Sequence, residues 1–292
     1  MPVGLMGETP MLRVKTMPQE KPIIRLEKVS KQFNGQVVLD RVDLAIERGK
    51  TTVIIGPSGC GKSVLLKHMN GLLAPDSGKV FFDDQEITHL GERKLFKIRQ
   101  RMGFLFQGSA LFDSMTVGEN ITFPLEESEY GDAQKCAERC RDVLAMVGLE
   151  GIESKMPEEL SGGQKKRVAL ARAIVLNPEV IFYDEPTTGL DPIRSDLINE
   201  LILRLHGALK ATAVVVTHDM NSVRRVADRV VMLFNGRFIA DSAPDRLDEI
   251  KNETVRRFIL GKASDEELKE LDAGEALLSS HHNNHNGKEK NE

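Results

Sequence analysis

Residues Gly56 to Ser63 read GPSGCGKS and fit the pattern Gly-x-x-x-x-Gly-Lys-Ser without a departure. The run before it, Thr51 to Ile55, is β-branched and apolar like a buried strand. The run after it, Val64 to Leu73, reads as a helix. A strand, a glycine-rich turn and a helix in that order confine the chain to an α/β architecture with a phosphate-binding loop. Gly56, Gly59 and Gly61 lack a Cβ, so the backbone can curl and aim several N–H groups at one point beside the positive end of the helix dipole. Pro57, Ser58 and Cys60 complete the loop. Lys62 supplies a mobile cation for β- and γ-phosphates, and the Ser63 hydroxyl stands where a bridging Mg²⁺ needs an oxygen ligand.

The 292 residues allow a substantial core, and 40% hydrophobic with 29% charged residues is ordinary for a globular protein. No apolar run approaches the roughly 18 residues that span a bilayer, so a membrane role must come through a partner. The N-terminal stretch has no continuous apolar region of signal-peptide type, which leads to the expectation of a cytosolic address. Cys60, Cys136 and Cys140 form no disulfide framework, as suits a reducing compartment. Cys136 and Cys140 have the spacing of helix-borne metal ligands, but with Val143, Leu144 and Val147 they trace one apolar helix face, the better reading. Net charge is −4, and residues 263–292 carry eight acids against three lysines. The near-neutral remainder offers no footprint for nucleic acid.

Along the chain, 1–22 read as a flexible arm, 23–262 as one domain, and 263–292 as an acidic extension with a disordered, histidine-containing tail. Strand-like runs cover Ile24 to Val29, Val42 to Ile46, Thr51 to Ile55, Lys79 to Phe82 and Met102 to Phe106, with Phe33 in a turn-like stretch. Residues 109–176 lack strand signals and show helical patterns at Asp132 to Val147 and Gly163 to Leu176, which marks a helical insertion. Alternation then resumes: strand Val180 to Tyr183, helix Ile193 to Leu209, strand Ala213 to Thr217, helix Met220 to Ala227, strand Val230 to Phe234. Short helices are expected within Asp245 to Leu260. Such alternation predicts a mainly parallel sheet covered on both faces.

A phosphate loop needs a carboxylate for Mg²⁺ and a group that handles water. The stretch VIFYDEP delivers Asp184 and Glu185 at the carboxyl end of a buried strand, the edge where parallel sheets bind ligands. Asp184 is the expected Mg²⁺ ligand and Glu185 the general base or water-orienting group. The stretch LSGGQ, Leu160 to Gln164, opens a helix with Ser161 placed as its cap; it reads equally as a plain cap or as an anion-binding N-terminus.

Taken together, GPSGCGKS, Gln107, LSGGQ, VIFYDEP, GLDP at Gly189 to Pro192, and His218 in VVVTHD resemble the ATP-binding cassette (ABC) ATPases over roughly Ile23 to Asp241. The resemblance implies a phosphate-loop NTPase with a mainly parallel core, an N-terminal antiparallel β subdomain and an inserted α-helical subdomain. It implies that Phe33 stacks on adenine, where many relatives place Tyr, and that Gln107 senses the γ-phosphate, its Mg²⁺ and the attacking water. By the same resemblance Ser161, Gly162, Gly163 and Gln164 bind the nucleotide held by the other copy of a head-to-tail homodimer. Asp191 contacts across that interface, and His218 holds the γ-phosphate near Glu185. The segment LFQGSALFDSMTVGENITFPL, Leu105 to Leu125, is similar to the ATPases of Mla-type phospholipid transporters that work with mammalian-cell-entry (MCE) lipid-binding proteins. That likeness implies an integral-membrane permease, an MCE-type protein reached through it, a small STAS-like regulatory subunit, and a place on the cytoplasmic face of the inner membrane. The competing expectation is the ATPase of a polar-solute importer, such as one for amino acids; a non-transport cassette is a third.

Overall fold

The computed structural model describes residues 21–128 and 130–263. The first two strands, β1 (Ile24–Phe33) and β2 (Gln36–Ile46), form a longer antiparallel hairpin than the sequence reading expects. Its turn is Asn34-Gly35, both at positive φ (49° and 83°), the backbone that a two-residue hairpin of matching twist requires. Phe33 is therefore the last residue of a strand, opposite Gln36, and not part of a loop. The strand β3 (Thr51–Ile55) leads into α1 (Lys62–Met69), which stops four residues short of the expected Leu73 because Gly71 turns the chain at φ 69°. β4 (Ser77–Phe82), β5 (Gln85–Glu86), α2 (Glu92–Arg99) and β6 (Met102–Leu105) follow.

The helical insertion comprises α3 (Val117–Glu127), α4 (Ala133–Met146) and α5 (Gly162–Ile174). Beyond it run β7 (Val180–Asp184), α6 (Pro192–Leu209), β8 (Thr212–Val216), α7 (Met220–Val226), β9 (Arg229–Phe234) and β10 (Arg237–Ser242). A 3₁₀ turn at Pro244–Glu249 and α8 (Glu253–Leu260) close the described chain. β10 is an addition to the sequence reading.

Two sheets result. One is antiparallel in the order β2-β1-β4-β5; the other has the order β10-β9-β3-β8-β7-β6 and is parallel except for β10 on β9. Alternation along the parallel strands shows why both faces must be covered. Val53, Ile181, Tyr183, Val215 and Met232 enter one core, with the helical insertion, α6 and α7. Ile54, Phe182, Val214, Val216 and Leu233 enter the other, with α1 and the antiparallel sheet. Burying each such side chain contributes roughly 1.5–3 kcal/mol. On α4, Cys136, Cys140, Val143, Leu144 and the following Val147 are buried as the expected apolar stripe, and burial pushes the Cys140 thiol up to about 11. Among the described residues no group of His, Cys, Asp and Glu is arranged to hold a metal on its own.

β3 lies between β9 and β8, so the chain's first parallel strand is flanked by two of its last. A crevice opens where such a strand order reverses, beyond the carboxyl ends of β3 and β7. The loop Gly56–Gly61 and the pair Asp184–Glu185 both leave their strands at that edge.

Candidate functional site

Gly56, Gly59 and Gly61 take φ of 150°, 78° and 103°. At Gly56 the need for glycine is steric as well, since a Cβ there would stand 2.2 Å from the carbonyl oxygen of Leu233. The loop is laid directly against the end of β9, and only a residue without a side chain fits. Within the loop, Cys60 N–H donates to the Pro57 carbonyl at 3.3 Å. The Lys62 ammonium is buried and turns back over the loop, donating to the carbonyls of Gly56 and Pro57 at 2.8 Å each.

One residue on, the Ser63 hydroxyl donates to Asp184 Oδ1 at 2.9 Å. Asp184 is buried at the end of β7, and desolvation foremost, with the neighbouring Glu185 charge, holds its carboxyl above the usual carboxylate range against the opposing Ser63 bond. A buried carboxylate beside a hydroxyl, both hard oxygen donors, fits a divalent cation of the Mg²⁺ class.

Glu185 adopts φ 50°, a left-handed conformation unusual for a side-chain-bearing residue, and its N–H is held by the Val216 carbonyl at 2.9 Å. This bend turns its carboxylate toward the cleft. There Oε2 accepts from Thr188 Oγ1 at 3.1 Å and lies 2.9 Å from His218 Nδ1. With Nδ1 directed at the carboxylate, the imidazole presents its other nitrogen outward. Ser58, Gly59, Gly61, Lys62, Ser63, Gln107, Glu185 and His218 line one cleft of about 390 Å³. Lys62, Gln107, Glu185 and His218 thus converge from the ends of four separate segments.

The other expected residues lie outside this cleft. Ser161 caps α5 in a reciprocal box: Gln164 N–H donates to Ser161 Oγ at 3.3 Å, and Ser161 N–H donates to Gln164 Oε1 at 2.9 Å. Ser161 and Gly162 are exposed, so the N-terminus of α5 faces solvent. Asp191 caps α6 through Arg194 N–H at 2.9 Å and pairs with the Arg194 guanidinium. Phe33 is half-exposed, with the Lys31 ammonium 5.4 Å from its ring centre. Part of the expected site is thus assembled in one cleft, while Phe33, Ser161, Gly162 and Asp191 lie exposed outside its lining.

Two residues at the site escape the sequence reading. Thr188 orients Glu185, and Lys166 reaches the carbonyls of Gln107 and Glu185 at 3.4 and 3.3 Å. Lys166 stands on the apolar stripe formed with Ala169, Leu170 and Ala173, and a lysine at that helical register is the signal that would have found it.

The family profile described as ABC transporter matches residues 39–188. The chain belongs to the ABC transporter ATP-binding family, and it is an ATPase. Over 241 residues it is 39% identical to an intermembrane phospholipid transport system ATP-binding protein, MlaF, of Haemophilus influenzae, covering 82% of this chain and 91% of that one. MlaF of Escherichia coli K12 is also 39% identical, with 82% and 90% covered. A probable ribonucleotide transport ATP-binding protein, mkl, of Mycobacterium tuberculosis is 38% identical over 82% of this chain and 67% of its own. Among solved structures, the dimeric ATP-binding cassette MJ0796 with ADP and phosphate bound superposes with a TM-score of 0.70 at 34% identity, covering 76% of this chain and 98% of that one. The cassette cbiO1 of Clostridium perfringens, part of the ABC transporter complex cbiONQ, gives 0.73 at 32% identity, with 80% and 92% covered.

Proposed function

We propose that this chain is the ATP-binding and hydrolysing subunit of a transporter that moves phospholipid between membranes, and that it works as a head-to-tail homodimer. The observation that carries the reading is the division of the site. Lys62, Ser63, Gln107, Glu185 and His218 line one cleft, with Asp184 bonded to Ser63 beside it, while the helix N-terminus at Ser161–Gln164 and the cap at Asp191 stand outside that lining with Ser161, Gly162 and Asp191 exposed. A second copy turned to face the first completes each cleft. The loop Gly56 to Gly61 wraps the β-phosphate, with backbone N–H groups supplied by Ser58, Gly59, Cys60 and Gly61 and the curve set by Gly56 and Pro57; Lys62 bridges β- and γ-oxygens, and Phe33 stacks on adenine. The partner's α5 N-terminus then meets the γ-phosphate from the far side.

Ser63 and Asp184 would hold the Mg²⁺, with Gln107 offered from the loop after β6. When bound, the ion neutralises charge on the phosphate oxygens. Glu185 accepts the proton of the attacking water, Thr188 and His218 hold its carboxylate in place, and the outward nitrogen of His218 donates to the γ-phosphate.

The substrate assignment is supported by the likeness to MlaF, named for intermembrane phospholipid transport, and by the surface around Leu105 to Leu125. Phe96, Phe104, Phe112, Phe123, Pro124 and Leu176 line an open groove of about 570 Å³, with Phe112 and Phe123 edge-to-face at 5.3 Å. We assign this groove to an integral-membrane permease, through which an MCE-type lipid-binding protein is engaged. A small STAS-like subunit would bind the same ATPase dimer. No described helix is long and apolar enough to cross a membrane; we assign the chain to the cytoplasmic face of the inner membrane, attached through the permease. We further assign Asp245 to Leu278 to packing on the neighbouring ATPase or regulatory subunit; of that stretch residues 264–278 lie outside the described residues, as do the rest of the acidic extension to 292 and residues 1–20 of the N-terminal arm.

Mixed dimers test the split site. Lys62→Ala in one copy and Ser161→Glu in the other leave one composite pocket intact, so mixing two inactive variants should restore about half a site's worth of ATP occlusion. No recovery on mixing rejects the head-to-tail arrangement. Purification from membranes with the copurifying chains and lipids identified tests the substrate, and the absence of phospholipid and permease from such a complex would reject that part.

A further inference from the structure

Lys166 lies in the second turn of α5 and is only 6% exposed. Its ammonium makes no ion pair among the described residues, and it donates instead to two main-chain carbonyls, Gln107 at 3.4 Å and Glu185 at 3.3 Å. A buried cation without a paired anion costs free energy, so its placement calls for a reason beyond packing. Burial holds this ammonium below its ordinary range, partly offset by the nearby Glu185 charge. The two carbonyls belong to separate loops, one following β6 and one following β7 at the left-handed bend of Glu185. Lys166 itself does not line the nucleotide cleft. The helix that carries it begins with Gly162 and Gly163, just after the Ser161 cap.

We propose that Lys166 is a positioning residue for hydrolysis, tying the helix that meets the partner's nucleotide to the backbones of Gln107 and Glu185 in its own chain. The inference rests on the roles assigned above to Glu185 and Gln107. A rigid helix shifts as a unit, so contact at its N-terminus displaces Lys166 with it. The two carbonyls follow through the hydrogen bonds that the ammonium donates to them, at 3.4 and 3.3 Å. Occupancy of one cleft is thereby felt at the Glu185 carboxylate of the other.

The full-length chain with Lys166→Met, which keeps length and burial while removing the donors, tests this. Affinity for Mg-ATP, measured at equilibrium, should stay within about twofold of the parent, while kcat should fall about 30-fold, the scale of one charge-assisted hydrogen bond lost in the transition state. Lys166→Arg, which retains the cation and several donors, should recover kcat to within about threefold. Lys166→Gln, able to serve one carbonyl, should fall between them at unchanged affinity, and it carries the test if the Met variant does not fold. Parental kcat in the Met or Gln variant, or a loss of affinity equal to the loss of kcat, overturns the proposal. Glu185→Gln run in parallel separates the two readings. If that variant hydrolyses normally, the assigned base is wrong and the inference goes with it; if it is inactive while Lys166→Met is fully active, only Lys166 is misread.

Discussion

The Ser63 hydroxyl donates to Asp184 Oδ1 across 2.9 Å, and this single bond ties the first turn of α1 to the carboxyl end of β7. The two residues are 121 positions apart in sequence, and the pairing brings both side-chain oxygens together beside the cleft that Ser63 lines.

Replacing Asp184 by Asn keeps the shape and removes the charge. The Mg²⁺ concentration for half-maximal hydrolysis should rise at least about tenfold, and the maximal rate should fall by roughly 10². A magnesium titration of ATPase activity checks both. The pH dependence follows from the direction of the Asp184 shift, which is upward and chiefly due to burial. A protonated carboxyl is a poor cation ligand, so apparent Mg²⁺ affinity should weaken as pH falls through the raised value. The weakening should set in at a higher pH than for an exposed aspartate.

Glu185→Gln preserves the bond from Thr188 and the backbone bend while removing the proton acceptor. Turnover should drop by about 10²–10⁴, the usual contribution of general base catalysis, with ATP affinity retained. Because hydrolysis no longer breaks the closed pair, size-exclusion chromatography in Mg-ATP should show a dimer where the parent chain returns to monomer. A variant that elutes as monomer and hydrolyses ATP at the parental rate removes Glu185 from the role given to it.

Cys60 sits inside the phosphate loop, half-buried, with its thiol pushed above the ordinary range mainly by burial. Alkylation should be slow at neutral pH and accelerate as the pH is raised, since the thiolate is the reacting form. Once modified, the loop should lose nucleotide binding, and prior saturation with Mg-ATP should protect it. Mass spectrometry paired with a binding titration reads both effects. Cys136 and Cys140, on the buried face of α4, should remain unmodified in the folded chain.

Much of this architecture is legible in the residues, for identifiable reasons. Thr51 to Ile55 and Val180 to Asp184 are buried on both faces, and an unbroken apolar run is what a central parallel strand requires. β10 was less visible because Arg237, Asp241 and Ser242 dilute an edge strand whose middle is only half-buried. Its signal was nevertheless present: Asn235-Gly236 repeats the Asn34-Gly35 turn, with φ of 46° and 73°. At the site, motif spacing indicates Lys62, Ser63, Asp184 and Glu185, because the first two close the loop that follows β3 and the last two stand at and just after the end of β7. Thr188 and Lys166 could not be found that way, since their roles depend on where a loop and a helix return in space.

Lys62 holds the Gly56 and Pro57 carbonyls with the same ammonium that is proposed above to bridge the β- and γ-phosphates. The loop is therefore braced from within by its own lysine. Capture becomes an exchange of partners for one cation, with little ordering left to be done, and so should be quick and only weakly opposed by entropy.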